Sequence, residues 1–320
     1  MPGSDIHEAV RVAVGACPEF AFLPEAPERG AGASIVGRTA ALLADLSVDL
    51  QPAGWRLTDA PGIDHRRAAS LLREDLDALE EHTQGYAGPL KVQVAGPWTL
   101  AAAVELPRGD KVLGDVGARR ELAQSLAEGI RGHVAEVRRR VPDAQIVVQV
   151  DEPTLPAVLG GSITTASGFH RHRTVDAPVV DQALRWITDA VRESDATPAV
   201  HMCASDVPVG LLAGAGFAAI GFDLSHVDTA TLDPWAQAFE AGVDLWTGVI
   251  PAVDPPSFSD VEHVRRVRDF LSALGFGSAQ YAERLTVTPT CGLAGASPAW
   301  AAKALAAAQR VASSVAEYAQ

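Results

Sequence analysis

His201-Met202-Cys203 sets an imidazole and a thiol two positions apart, directly after the apolar pair Ala199-Val200. Alternate side chains of a strand share a face, so His201 and Cys203 can aim at one point past a strand end. Ring nitrogen together with thiolate sulfur suits zinc best among the common metals. Taken alone, the pair more often marks a packed histidine beside a buried free thiol. A metal site requires further donors at later strand ends. Asp223 closes the pattern Ala218-Ala219-Ile220-Gly221-Phe222, and Cys291 follows the strand pattern 284–289. His201, Cys203, Asp223 and Cys291 together make an N, S, O, S set of the kind zinc takes. The alternative is a reduced, metal-free cleft. Other polar residues fall at the same kind of position: Gln51 after 48–50, Trp98 in the turn Gly96–Leu100, and Asp151-Glu152 after 145–150.

These positions need a scaffold that brings strand ends together. Asp5 can cap a helix over 5–14, and a Pro-, Gly- and Glu-rich loop covers 17–33. Helices are predicted over 34–46, 64–82, 116–140, 179–193, 209–213, 232–240, 260–274 and 298–318. Strands are predicted over 48–52, 90–95, 145–150, 198–202, 218–222, 243–250 and 284–289, with a loop over 160–177. Strands alternating with helices give a parallel sheet with right-handed crossovers, open or closed into a barrel. A TIM (β/α)8 barrel gathers every strand C-terminus at one mouth. The pattern supplies about seven strands, so the expectation is such a barrel with its first strand missing or truncated before residue 5. No Gly/Ser-rich linker divides the chain, and 1–320 reads as one catalytic domain.

Composition narrows the function classes. The chain has 320 residues, 48% hydrophobic and 21% charged, which is ordinary for a globular protein. A net charge of −14 argues against nucleic-acid partners, which want a basic face. Apolar runs fall short of the roughly 20 residues that span a bilayer, and no signal-peptide pattern opens the chain. Cys17, Cys203 and Cys291 are too few and too scattered for a disulfide framework, so a reduced, cytoplasmic protein is expected.

Motifs in the order His201-Met202-Cys203, Ile220-Gly221-Phe222-Asp223 and Pro289-Thr290-Cys291-Gly292-Leu293 resemble the metal-binding half of the cobalamin-independent methionine synthase family. Asp151-Glu152-Pro153 is similar to that family's Asp-Glu-Pro, and Gly96-Pro97-Trp98-Thr99 to its Gly-Pro-x-Thr. The resemblance spans about 96–293. It implies a TIM barrel of the uroporphyrinogen decarboxylase and methionine synthase superfamily. It also implies zinc on His201, Cys203, a carboxylate and Cys291, with Asp151 holding the amino group of an amino-acid thiol. Methyl transfer to that thiol, homocysteine giving methionine, is the implied reaction. Gln51 and Trp98 are further candidates for substrate contact, with core packing the favoured alternative for Trp98, and Asp151 and His226 are the candidate catalytic residues. Zinc turns a thiol with a pKa near 8.5 into the thiolate that attacks a methyl group.

Departures from the family pattern are equally specific. Asp223 stands where the family has glutamate, and His226 is an alternative ligand or proton carrier. Val253 takes the place of a histidine that moves protons. Leu100-Ala101-Ala102-Ala103 replaces an Asn-Trp pair that meets folate. Met1-Pro2-Gly3-Ser4-Asp5 resembles the tail of a motif whose preceding residues form the first barrel strand and bind the homocysteine carboxylate; a barrel without that strand is expected to be poorly stable. With no amino-terminal barrel to grip a polyglutamyl folate, the expected donor is a methylcorrinoid protein or a small methylated compound. His170-Arg171-His172-Arg173 is either a basic contact for an anionic substrate tail or a solvated loop. A zinc alkyltransferase for another thiol, of the coenzyme M type, and a non-catalytic ligand-binding barrel are the competing readings.

Overall fold

The structure, a computed structural model, describes residues 1–228, 230–277 and 284–317. Its centre is a seven-stranded sheet in the order β1-β4-β5-β6-β7-β8-β9, parallel throughout. The strands are β1 (Ala21–Phe22), β4 (Pro89–Ala95), β5 (Gln145–Asp151), β6 (Thr197–Met202), β7 (Ala219–Asp223), β8 (Asp244–Ile250) and β9 (Leu285–Pro289). The helices α1 (Ile6–Ala16), α3 (Ile63–His82), α5 (Val116–Arg140), α7 (Ala177–Glu193), α8 (Val209–Gly214), α9 (Asp233–Glu240), α10 (Asp260–Ala273) and α11 (Pro298–Glu317) accompany it. No helix among the described residues is long and apolar enough to cross a membrane.

Period-two alternation separates the two faces. On β5, Ile146, Val148 and Val150 enter the main apolar cluster under the helices. Val147 instead joins Ala199, Ala219 and Trp246 in a small cluster on the opposite, concave side, with Phe20 packed against it. Phe20 lies just before β1, yet its ring meets Trp246 of β8 edge-on at 5.5 Å between centroids. The first and sixth strands in sheet order thus come together across the interior, so the sheet is curled. Helix α1 touches both α3 and α11, joining the two ends of the helical layer.

The structure corrects three sequence expectations. The strand expected over 48–52 is β2 (Ser47–Gln51), which pairs antiparallel with β3 (Gly54–Thr58) in a hairpin outside the parallel sheet. Alternation reveals a strand but not its sheet, and Gly54 at φ +130° marks the turn that sends the chain back. The first sheet strand is instead β1, within the segment expected to be a loop; two residues are too few to display a period. Helix α2 (Ile35–Ala40) ends well before residue 46, and Asp45 follows in the left-handed region at φ 58°. Gly96 leads into a helix, α4 (Pro97–Ala103), and a further short one is α6 (Leu155–Leu159). Tyr318, the expected end of the last helix, lies outside the described residues. Among those described, β1 and β9 each pair on one side only, so the curled sheet has seven strands and is not closed between β1 and β9.

Candidate metal centre

His201 is the fifth residue of β6, and Cys203 follows the strand on the same side. Cys291 follows β9, two strands further from β6 than its neighbour β7. The curl of the sheet brings them together. Nitrogen and sulfur donor atoms of His201, Cys203 and Cys291 all lie within 4.8 Å of one another. The Sγ atoms of Cys203 and Cys291 are 3.4 Å apart, close enough to share one hydrogen, and all three cysteines of the chain are free thiols. That sharing with Cys203, reinforced by His201, draws Cys291 down to about 4 and drives Cys203 upward. A proton held between two sulfurs marks a place where a soft cation can replace it. Two sulfurs and an imidazole at a strand-end mouth, His201 and Cys203 half-buried and Cys291 exposed, fit zinc. Gly221 pairs with His201 in register, and a Cβ there would stand 3.2 Å from His201 Nδ1, so glycine keeps room for the ring.

Asp223 is placed apart from this group. Its Oδ1 accepts hydrogen bonds from Ser225 N at 2.8 Å and Ser225 Oγ at 2.6 Å, capping the turn Leu224–His226. Its Oδ2 lies 3.7 Å from His226 Nε2. His226 is exposed and lines a cleft of about 350 Å³ with Asp206, Asp228 and Trp235.

Asp151 ends β5 directly opposite His201. It is 7% exposed, and Gln149 Nε2 donates to its Oδ1 at 2.7 Å. Burial raises its pKa to about 6, His201 opposes that shift, and Glu25 adds to it. Glu152, one residue on, points to the other face and is fully buried. It accepts from Trp98 N at 2.9 Å, Thr99 N at 2.8 Å and Thr99 Oγ1 at 2.7 Å, holding the start of α4. A Cβ at Gly96 would fall 2.3 Å from the Glu152 carboxyl, which explains the glycine of Gly-Pro-x-Thr.

The other expected contacts lie elsewhere. Trp98 is 2% exposed and belongs to the apolar core, as do Leu100, Ala101 and Ala102. Gln51 sits on the outer hairpin and bonds Asp49 at 2.8 Å. His172 Nε2 meets Asp110 Oδ1 at 3.2 Å, which ties the basic loop to the segment before α5. Val253 is exposed on the turn after β8. Two residues were missed from sequence. Glu25 follows β1 and acts electrostatically on both Asp151 and Lys91. Its Oε1 is 3.5 Å from Arg38 Nε. Lys91 shares the concave face of β4 with Gln93. Reading Ala21-Phe22 as a strand would have exposed Glu25 as a strand-end carboxylate comparable to Asp151.

Comparison with known proteins adds an independent line. The family described as "Cobalamin-independent synthase, Catalytic domain" matches residues 24–314. Among solved structures, a B12-independent methionine synthase from Shewanella sp. W3-18-1 in complex with selenomethionine is similar at a TM-score of 0.63 and 15% identity. That match covers 98% of this chain and 88% of the other, and it bears on the fold. A 2,3-dimethylmalate lyase reaches a TM-score of 0.34 at 14% identity, covering 94% and 86%, too distant a likeness to argue from. A comparison with curated proteins gave no match.

Proposed function

The chain belongs to the family of the cobalamin-independent synthase catalytic domain, a methyltransferase family, and from that premise we propose that it methylates the thiol of homocysteine to give methionine at a zinc site. The observation that carries the reading is the convergence of His201, Cys203 and Cys291 within 4.8 Å, directly beside Asp151. These three residues would hold the zinc, and Asp223 would be the fourth ligand once its carboxylate leaves Ser225. Zinc, when bound, supplies the positive charge that keeps the acceptor sulfur a thiolate at neutral pH.

The chain's own groups do the rest. Asp151, buried and with one protein donor, holds the substrate ammonium and so fixes the amino acid beside the cysteines. His226 takes up the proton that the thiol gives up and passes it to solvent, because it stands at the rim next to Asp223. The S–CH3 bond forms as the donor's bond to the methyl group breaks, and that electron pair stays with the donor. Buried Leu100, Ala101 and Ala102 offer no stacking surface to a folate ring, which favours a methylcorrinoid protein or a small methylated compound as donor.

Elemental analysis with X-ray absorption tests the reading. A His7→Ala variant serves as a control for the His7, Glu81 and His82 group on the helical layer. One zinc per chain that survives His7→Ala, with a sulfur-rich shell gaining one sulfur on addition of homocysteine, is the expected result. A protein grown with zinc and kept reduced that holds none would overturn it in favour of a non-catalytic barrel. An unchanged shell with homocysteine but an added sulfur with coenzyme M would redirect the acceptor.

A further inference from the structure

Lys91 is a charged residue inside the curl of the sheet. On β4 it alternates with Leu90 and Val92, which enter the helical core, and it shares the concave face with Gln93. Its Nζ stands 5.4 Å from the centroid of the Phe22 ring, its register partner on β1. A half-buried ammonium normally finds a carboxylate or several hydrogen-bond acceptors. Its backbone carbonyl accepts from Leu23 N at 2.9 Å, but among the described residues its ammonium has neither an ion pair nor a hydrogen bond. Glu25 and Asp151 both favour its charge, while burial works against it and lowers its pKa.

The arrangement follows from sheet order. β4 lies between β1, which leads into Glu25, and β5, which ends in Asp151. Two carboxylates and one ammonium therefore approach the same interior space from neighbouring walls without closing on one another. An α-amino acid carries the complementary charges on a single carbon. Its ammonium answers Asp151 and Glu25, and its carboxylate answers Lys91.

We propose that Lys91 receives the α-carboxylate of the acceptor and thereby selects an amino-acid thiol over a simple thiol. The inference rests on the proposed methyl transfer to homocysteine and extends it to a specificity-determining residue. A sulfonate thiol of the coenzyme M type could meet Lys91 but would leave Asp151 and Glu25 facing an anion, so the same geometry disfavours it.

The experiment is calorimetric titration of the zinc-loaded protein with homocysteine and with 3-aminopropane-1-thiol, which lacks only the carboxylate. Wild type should bind homocysteine on the order of tens of times more tightly, as a charge-assisted contact gives. Lys91→Met keeps an unbranched stem and should remove that preference, while affinity for 3-aminopropane-1-thiol stays within about twofold. Lys91→Arg should retain part of the preference, and serves if the methionine variant does not fold by circular dichroism. Equal weakening of both thiols, or an unchanged ratio, would overturn the role of Lys91 while leaving the methyl-transfer reading intact. Failure of wild type to bind either thiol would overturn both.

Discussion

The two faces of the curled sheet are built from alternate residues of the same strands, yet they solve opposite problems. On the convex face, Val92, Val148, Val200, Ile220 and Leu245 are essentially fully buried in one apolar cluster. On the concave face, Lys91, Gln93 and Gln149 lie level with a small cluster of Val147, Ala199, Ala219 and Trp246, and Asp151 and His201 lie beyond it toward the strand ends. Gln93 Nε2 donates to Leu23 O at 2.9 Å, but its Oε1 is buried without a partner among the described residues. The convex face is almost wholly apolar; the concave face holds polar groups with spare capacity, which is what binding requires. Stability and chemistry are thus separated by a single residue step along each strand, as Asp151 and Glu152 display side by side.

Mutations on each face should therefore move different observables. The largest effect is expected from Cys291→Ser: zinc affinity should fall more than a hundredfold, beyond what loss of an outer-shell contact gives, and methyl transfer should disappear. The melting temperature of the metal-free variant should stay close to wild type. A large drop in that melting temperature would break the separation of faces. Leu245→Ala, on the convex side of β8, should do the reverse. It should cost about 2–5 kcal/mol in urea unfolding while the folded fraction keeps its zinc affinity.

A third contrast lies in pH dependence. His133 on α5 is 4% exposed, and burial, helped by Arg38, lowers its pKa to about 4. Its neutral form stabilises the fold above the ordinary histidine value near 6.5. That contribution is lost as pH falls toward 4, a loss of about 3 kcal/mol. Urea unfolding from pH 7 to pH 4 should show this slope in wild type and not in His133→Leu. The smallest effect is expected at Glu152, whose pKa burial raises to about 7. The cost of its charge grows as pH rises from 4.5 to 7, so wild type loses stability relative to Glu152→Gln over that range. At low pH the glutamine should be worse by about 1–3 kcal/mol, since its amide must face backbone N–H donors. A difference curve flat in pH would show that Glu152 stays ionised within its three donors.

Much of this arrangement is legible in the sequence, because long strands announce themselves and strand ends inherit their faces from alternation. His201, Cys203 and Cys291 could be named from residue type and position, and the structure places their donor atoms together. Asp223 sits at the expected strand end, but the competing hydrogen bonds from Ser225 are a local choice that no spacing reveals. Trp98 looked available because it lies in a turn motif; that turn starts a buried helix, and the ring goes into the core. Gln51 was misplaced because its strand belongs to a hairpin. Glu25 was hidden by the brevity of β1, and Lys91 because a lone lysine in a strand pattern does not reveal whether it faces solvent or the interior.

The contact between the Cys203 and Cys291 sulfurs joins positions 88 residues apart in sequence. As the chain is made from its amino terminus, His201 and Cys203 emerge well before Cys291. At roughly 5–20 residues per second the delay is on the order of ten seconds. Throughout that interval a nascent chain carries an imidazole and a thiol with nothing to complete them. The site is assembled last, so its appearance signals that β7, β8 and β9 have already taken their places.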